Sequence, residues 1–139
     1  FSHIAGLSSA FILDRALNST PQAESILERR SYFESIFGNL DELIGSDKDY
    51  KALIQKLKNE AVDIPQLYLA CGTEDFLIEQ NRDYRDFLKQ EAIEFTYVES
   101  PGIHDWKFWD TYIEKVIEWL PIYNRKFGEC RTFYLFNEK

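Results

Sequence analysis

The chain has 139 residues, a length that one domain accommodates, and 45% of them are hydrophobic with 16% aromatic, enough apolar material for a core. A formal net charge of −8 argues against nucleic acid or an anionic membrane as partner, because both demand clustered Lys and Arg. No apolar run approaches the length that spans a bilayer, and the amino end lacks the charged segment and apolar stretch of a secretory signal.

Residues 4–9 form a short apolar run that reads as a strand. It opens abruptly at Phe1-Ser2-His3-Ile4 in a sequence with no Met, from which a longer parent protein is expected. Residues 11–17 hold a helical turn or two before Asn18-Ser19-Thr20-Pro21 breaks the chain, since Pro lacks an N–H and biases its predecessor away from the helix. Residues 22–37 carry Ile26, Tyr32, Phe33 and Ile36 among charges without one clean period. That pattern predicts one or two short helices over the sheet's carboxyl edge, where lids and pockets sit.

Gly45-Ser46-Asp47 reads as a turn and helix cap. Asp47 and Asp49 read as a solvated helix start. Tyr50, Leu53, Ile54, Leu57 and Ala61 follow at helical spacing, and Ile64-Pro65 is expected to end that helix. The continuously apolar residues 67–71 predict a strand buried on both faces. A helix over residues 79–91 presents Tyr84, Phe87 and Leu88 on one face. Residues 95–98 alternate and favour β structure. Trp109, Tyr112, Ile113, Val116 and Leu120 mark a last helix stopped near Pro121. The alternation predicts an α/β fold in which residues 4–7, 67–71 and 95–98 are adjacent parallel strands with flanking helices. Residues 128–139 are a tail for which a further strand at 131–136 and a mobile end are both open; the domain proper is taken as 1–127.

Two stretches carry the chemistry. Leu67 to Cys71 runs into Gly72-Thr73-Glu74-Asp75, and Pro101-Gly102-Ile103-His104 follows the next strand. A carboxylate and then a histidine, each just past a strand's carboxyl end, is the order of the last two members of an α/β-hydrolase triad. Open α/β sheets gather their reactive groups at that edge. His104 could instead be a structural residue among Trp106, Phe108 and Trp109, and Asp75 a capping residue. Their order and loop placement favour function for both, with Glu74 and Asp105 as lesser alternates whose side chains should point elsewhere.

Phe1-Ser2-His3-Ile4-Ala5 before a Ser-rich strand end, Phe37-Gly38 before Gly45-Ser46, Cys71-Gly72-Thr73-Glu74-Asp75-Phe76-Leu77, and Gly102-Ile103-His104-Asp105-Trp106-Lys107-Phe108-Trp109 occur in that order. On these residues the segment from Phe1 to about Leu120 resembles the carboxyl-terminal half of the esterase D-like, tributyrin-esterase-type α/β hydrolases. The resemblance implies a serine carboxylesterase acting on short acyl esters, with Asp75 as triad acid and His104 as general base. The Gly-x-Ser-x-Gly elbow expected before these motifs is absent from the chain. Gly6-Leu7-Ser8-Ser9-Ala10 resembles an elbow superficially, but an elbow runs from a strand through a strained turn into a full helix. By the resemblance Ser8 and Ser9 lie instead at the end of the following strand, with Ser9 a candidate substrate contact.

His3 and His104 are the sole histidines, and with no H-E-x-x-H, no Cys cluster and no Gly-rich phosphate loop, neither metal nor cofactor is expected. Cys71 and Cys130 form no disulfide framework; Cys71 reads as core, and a reducing, cytoplasmic location is expected. The expected partners are a small-molecule ester and, through a bare sheet edge, a second copy or the chain's own amino-terminal segment. A non-catalytic α/β binding module is the competing reading.

Overall fold

The computed structural model describes residues 1–122. Three strands form one parallel sheet: β1 (His3–Leu7), β2 (Gln66–Gly72) and β3 (Phe95–Ser100), in the spatial order β1-β2-β3. Ile4 stands opposite Leu67, which stands opposite Phe95. The expected order and direction are therefore both observed. Parallel neighbours need long crossovers. The first contains α1 (Leu13–Leu17), a 3₁₀ turn (Ile26–Glu28), α2 (Arg30–Phe37), a second 3₁₀ turn (Leu40–Glu42) and α3 (Tyr50–Asn59). The second is α4 (Ile78–Gln90), and α5 (Trp106–Trp119) follows β3.

Why β2 is apolar at every position follows from the period of two along a strand. Leu67 and Leu69 pack with Ile54, Tyr84 and Leu88 from α3 and α4. Tyr68 and Ala70 pack on the opposite face with Phe108, Tyr112 and Val116 of α5. Both sides of the strand are thus core. A third cluster, Leu13, Ala16, Phe33, Leu40 and Leu43, closes the first crossover over itself. β1 lies at the rim, and Phe1 and Ile4 are exposed there.

Several local expectations are corrected. α3 is capped by Asp49, not by the 45–47 turn: the Asp49 carboxylate accepts from the N–H groups of Lys51, Ala52 and Gly45, and it is buried rather than solvated. The same helix ends at Asn59, well before Pro65, because Ala61 turns to φ 52°. Leu53 and Ile113 share helical spacing with the core yet sit at its margin, exposed. α5 begins three residues earlier than the Trp109 pattern suggested, since Asp105 caps it through the Phe108 N–H at 2.9 Å. β1 stops at Leu7, where Ser8 takes φ 50°. The tail at 128–139 lies outside the described residues.

No helix among the described residues is long and apolar enough to cross a membrane.

Candidate active site

Beyond β2 the chain turns tightly, with Asp75 N–H bonded to Gly72 O at 3.1 Å and Ile78 N–H to Asp75 O at 3.0 Å. The turn points the Asp75 side chain inward, where Oδ1 accepts from the Leu77 N–H at 2.9 Å. Beyond β3 the chain reaches His104 through Pro101 and Gly102, and Asp105 then starts α5.

The two loops are stitched together by backbone. Thr73 N–H donates to Ser100 O at 2.9 Å and Glu74 N–H to Gly102 O at 3.0 Å. In return Gly102 N–H donates to Glu74 Oε2 at 2.6 Å. Such contact needs bare backbone on one side: a Cβ at Gly72 would overlap the Gly102 carbonyl. Gly102 in turn lies against the Phe108 ring, where a Cβ would also collide.

This stitching brings His104 to Asp75. Nδ1 of His104 lies 3.0 Å from Asp75 Oδ2 and 3.3 Å from Oδ1. The Asp75 side chain is wholly buried, whereas 30% of the His104 side chain remains exposed. A carboxylate only accepts, so the pairing puts the proton on Nδ1 and leaves the Nε2 lone pair facing away from Asp75. Chemically, that is a base with a fixed tautomer and a buried anion to stabilise its protonated form. Glu74 and Asp105 are both committed to backbone N–H groups, as expected of the lesser alternates.

The serines lie elsewhere on the same edge. Ser8 is buried and its Oγ has no hydrogen-bond partner among the described residues. Ser9 folds its Oγ back over Gly6, and its carbonyl accepts from Asn81 Nδ2 at 2.9 Å. Both His104 ring bonds go to Asp75 and neither serine is bonded to the imidazole. The helix after Ser9 is only α1, and it starts at Leu13.

Asn81 was not singled out from the sequence. Fully buried, it donates to Ser9 O and to Leu77 O at 2.8 Å, tying the end of β1 to the Asp75 turn. Its signal was present: position 81 falls on the buried stripe of α4 with Ile78, Tyr84 and Leu88. Phe76 was equally overlooked as an individual residue. Its ring centroid lies 4.7 Å from that of His104. Cys71 is buried beneath the site, and burial first, then the negative Asp75, pushes its thiol up to about 11. Among the described residues no group of three or more His, Cys, Asp or Glu side chains is placed to hold a metal ion.

No protein-family model matches the chain. It is 44% identical over 120 residues to an acetyl esterase of Caldicellulosiruptor saccharolyticus, covering 86% of this chain and 45% of that one. Its fold superposes on the substrate-bound fluorophosphonate-binding serine hydrolase F of Staphylococcus aureus with a TM-score of 0.69, at 30% identity over 86% of this chain and 44% of the other. The S-formylglutathione hydrolase of the same organism gives 0.68 and 29%, with the same coverage. A ferulic acid esterase shares the fold alone, with a TM-score of 0.50 at 17% identity over 86% of this chain and 40% of that one. The chain thus matches part of the α/β serine hydrolases of acetyl esterase and S-formylglutathione hydrolase type, and spans less than half the length of these relatives.

Proposed function

We propose that this chain supplies the acid and base of a serine carboxylesterase that hydrolyses short-chain acyl esters, tributyrin among them, through a Ser-Asp-His triad. The observation that carries this reading is the 3.0 Å contact between His104 Nδ1 and the buried Asp75 carboxylate at the sheet's carboxyl edge. Likeness to an acetyl esterase supports the reaction class.

In this mechanism Nε2 of His104 takes the proton of a serine hydroxyl as its oxygen attacks the ester carbonyl, and Asp75 stabilises the resulting imidazolium. The imidazolium then returns the proton to the departing alkoxide, and water repeats the sequence to release the acid. We place the nucleophile on a preceding segment rather than on Ser8. Ser8 lacks the following full helix of an elbow and has no bond to His104. Backbone donors for the oxyanion are assigned to that preceding segment as well. Its strand would pair along the rim of β1 that has no partner strand among the described residues.

The test is hydrolysis of p-nitrophenyl acetate by the longer protein. His104→Ala is expected to lower kcat by about 10⁶-fold and Asp75→Asn by about 10⁴-fold. The 139-residue chain alone should hydrolyse at background. Robust turnover by the chain alone that Ser8→Ala abolishes would make Ser8 the nucleophile, and indifference of the parent to His104→Ala refutes the reading.

β1 favours a second reading, an association module. It pairs on one edge only among the described residues, and it exposes Ile4 beside Phe1. On this reading the chain self-associates, or holds its amino-terminal segment, through that rim. Sedimentation of the chain alone as a stable compact monomer excludes self-association.

A further inference from the structure

A hydrogen bond fixes a point on the imidazole, not its plane. The His104 ring remains free to tilt about its contact with Asp75 unless neighbouring groups pack against it. Two aromatic rings do. Phe76 sits at 4.7 Å between centroids with an interplanar angle of 44°, and Trp109 at 4.9 Å and 89°. Trp109 is itself braced edge-on by Trp106 at 5.2 Å.

Phe76 is the unusual member. It is 68% exposed, so core packing does not explain a phenylalanine at this position. The turn that sends the Asp75 carboxylate inward, closed by the Leu77 and Ile78 N–H groups, is also the turn that holds Phe76 outward against the imidazole. Acid and aromatic ring are therefore set by one piece of backbone.

We infer that Phe76 is a positioning residue for His104, setting the plane of the imidazole. The inference rests on the reading of His104 as the general base. Among the described residues, Asp75 is the charged group hydrogen-bonded to the ring. The nearby Glu74 and Asp105 carboxylates are engaged by the Gly102 and Phe108 N–H groups and lie on the flanking loops.

The experiment reads the tautomer from the imidazole ¹⁵N and ¹³C signals of the chain itself at alkaline pH. It has only two histidines, and His3, packed on Trp119, serves as the internal control. In Phe76→Ala the His104 signals are expected to show a smaller Nδ1-protonated fraction, because the ring no longer holds the plane that aims Nδ1 at Asp75. Phe76→Tyr should restore that fraction, and the His3 signals should not move. A His104 tautomer fraction unchanged in Phe76→Ala overturns the inference. That outcome is read without any ester, so it stands apart from failure of the hydrolase reading, which shows as a parent protein indifferent to His104→Ala.

Discussion

Glu74 and Gly102 exchange two hydrogen bonds across the gap between the loops, Glu74 N–H to Gly102 O at 3.0 Å and Gly102 N–H to Glu74 Oε2 at 2.6 Å. The first links the loop of Asp75 to that of His104 through backbone. The second adds a charge whose strength depends on pH. The Gly102 N–H, and then the Thr73 hydroxyl, hold the Glu74 carboxyl below its ordinary 4.5. A folded value below the unfolded one means that the contribution is present above the unfolded value and lost as pH falls through the folded one. Glu74→Gln keeps the shape and removes the charge. Its urea midpoint should therefore lie below that of the wild type at neutral pH, and the gap should close as the solution is acidified below 4.5. A gap that persists unchanged in acid contradicts this role.

Gly72 faces that same crossing. A methyl group there would meet the Gly102 carbonyl, a backbone atom that cannot swing aside. Gly72→Ala is expected to cost roughly 3 kcal/mol of stability, measured by urea unfolding, the upper part of the range for overpacking. It should also lengthen the His104–Asp75 contact, visible as a weakened Nδ1–H signal. Gly45→Ala offers a contrast, since an added Cβ meets nothing there, though its φ of 75° carries a backbone cost of its own.

Asn81 presents two donors to two carbonyls. Asn81→Asp changes little in size but sets a carboxylate against Ser9 O and Leu77 O inside the fold. An uncompensated buried charge should destabilise the chain by about 3 kcal/mol at neutral pH. Unfolding curves that overlay on the wild type would show that the bridge does not hold the end of β1 to the Asp75 turn.

Cys71 should be chemically quiet. Burial and the adjacent Asp75 carboxylate raise its thiol from 9.0 to about 11, which leaves little thiolate at pH 8. Peptide mass mapping should find Cys71 unalkylated by iodoacetamide in the native chain and alkylated in urea. Because the folded value lies above the unfolded one, the thiol's contribution to stability is full below about 9.0 and is lost as pH rises towards 11.

How far the sequence reaches is clearest at three places. The unbroken apolar run 67–71 is what a strand covered on both sides requires, and the core puts α3 and α4 over one face and α5 over the other. That Asp75 and His104 would meet was legible because each follows a strand end, and the residues that join their loops, Gly72, Glu74 and Gly102, are near neighbours of theirs in the chain. The cap of α3 was misplaced because Ser46, Asp47 and Asp49 are all good capping residues. Local chemistry does not choose among them; the burial of Asp49, with Gly45 N–H folded back onto it, does.

Sequence alone thus determined the strand order and the parallel direction, through the alternation of strands and helices, and the two loops that meet, through the turns that follow β2 and β3. Tertiary structure decided the rest. Which nitrogen of His104 faces Asp75, the bond from Asn81 to Ser9, 72 positions away, and the exposed Phe76 ring against the imidazole all depend on contacts between side chains brought together by the crossovers. Spacing along the chain places Asn81 on the buried stripe of α4 but does not name its partner, and nothing in the spacing of residues 75–77 tells that the Phe76 ring meets the imidazole.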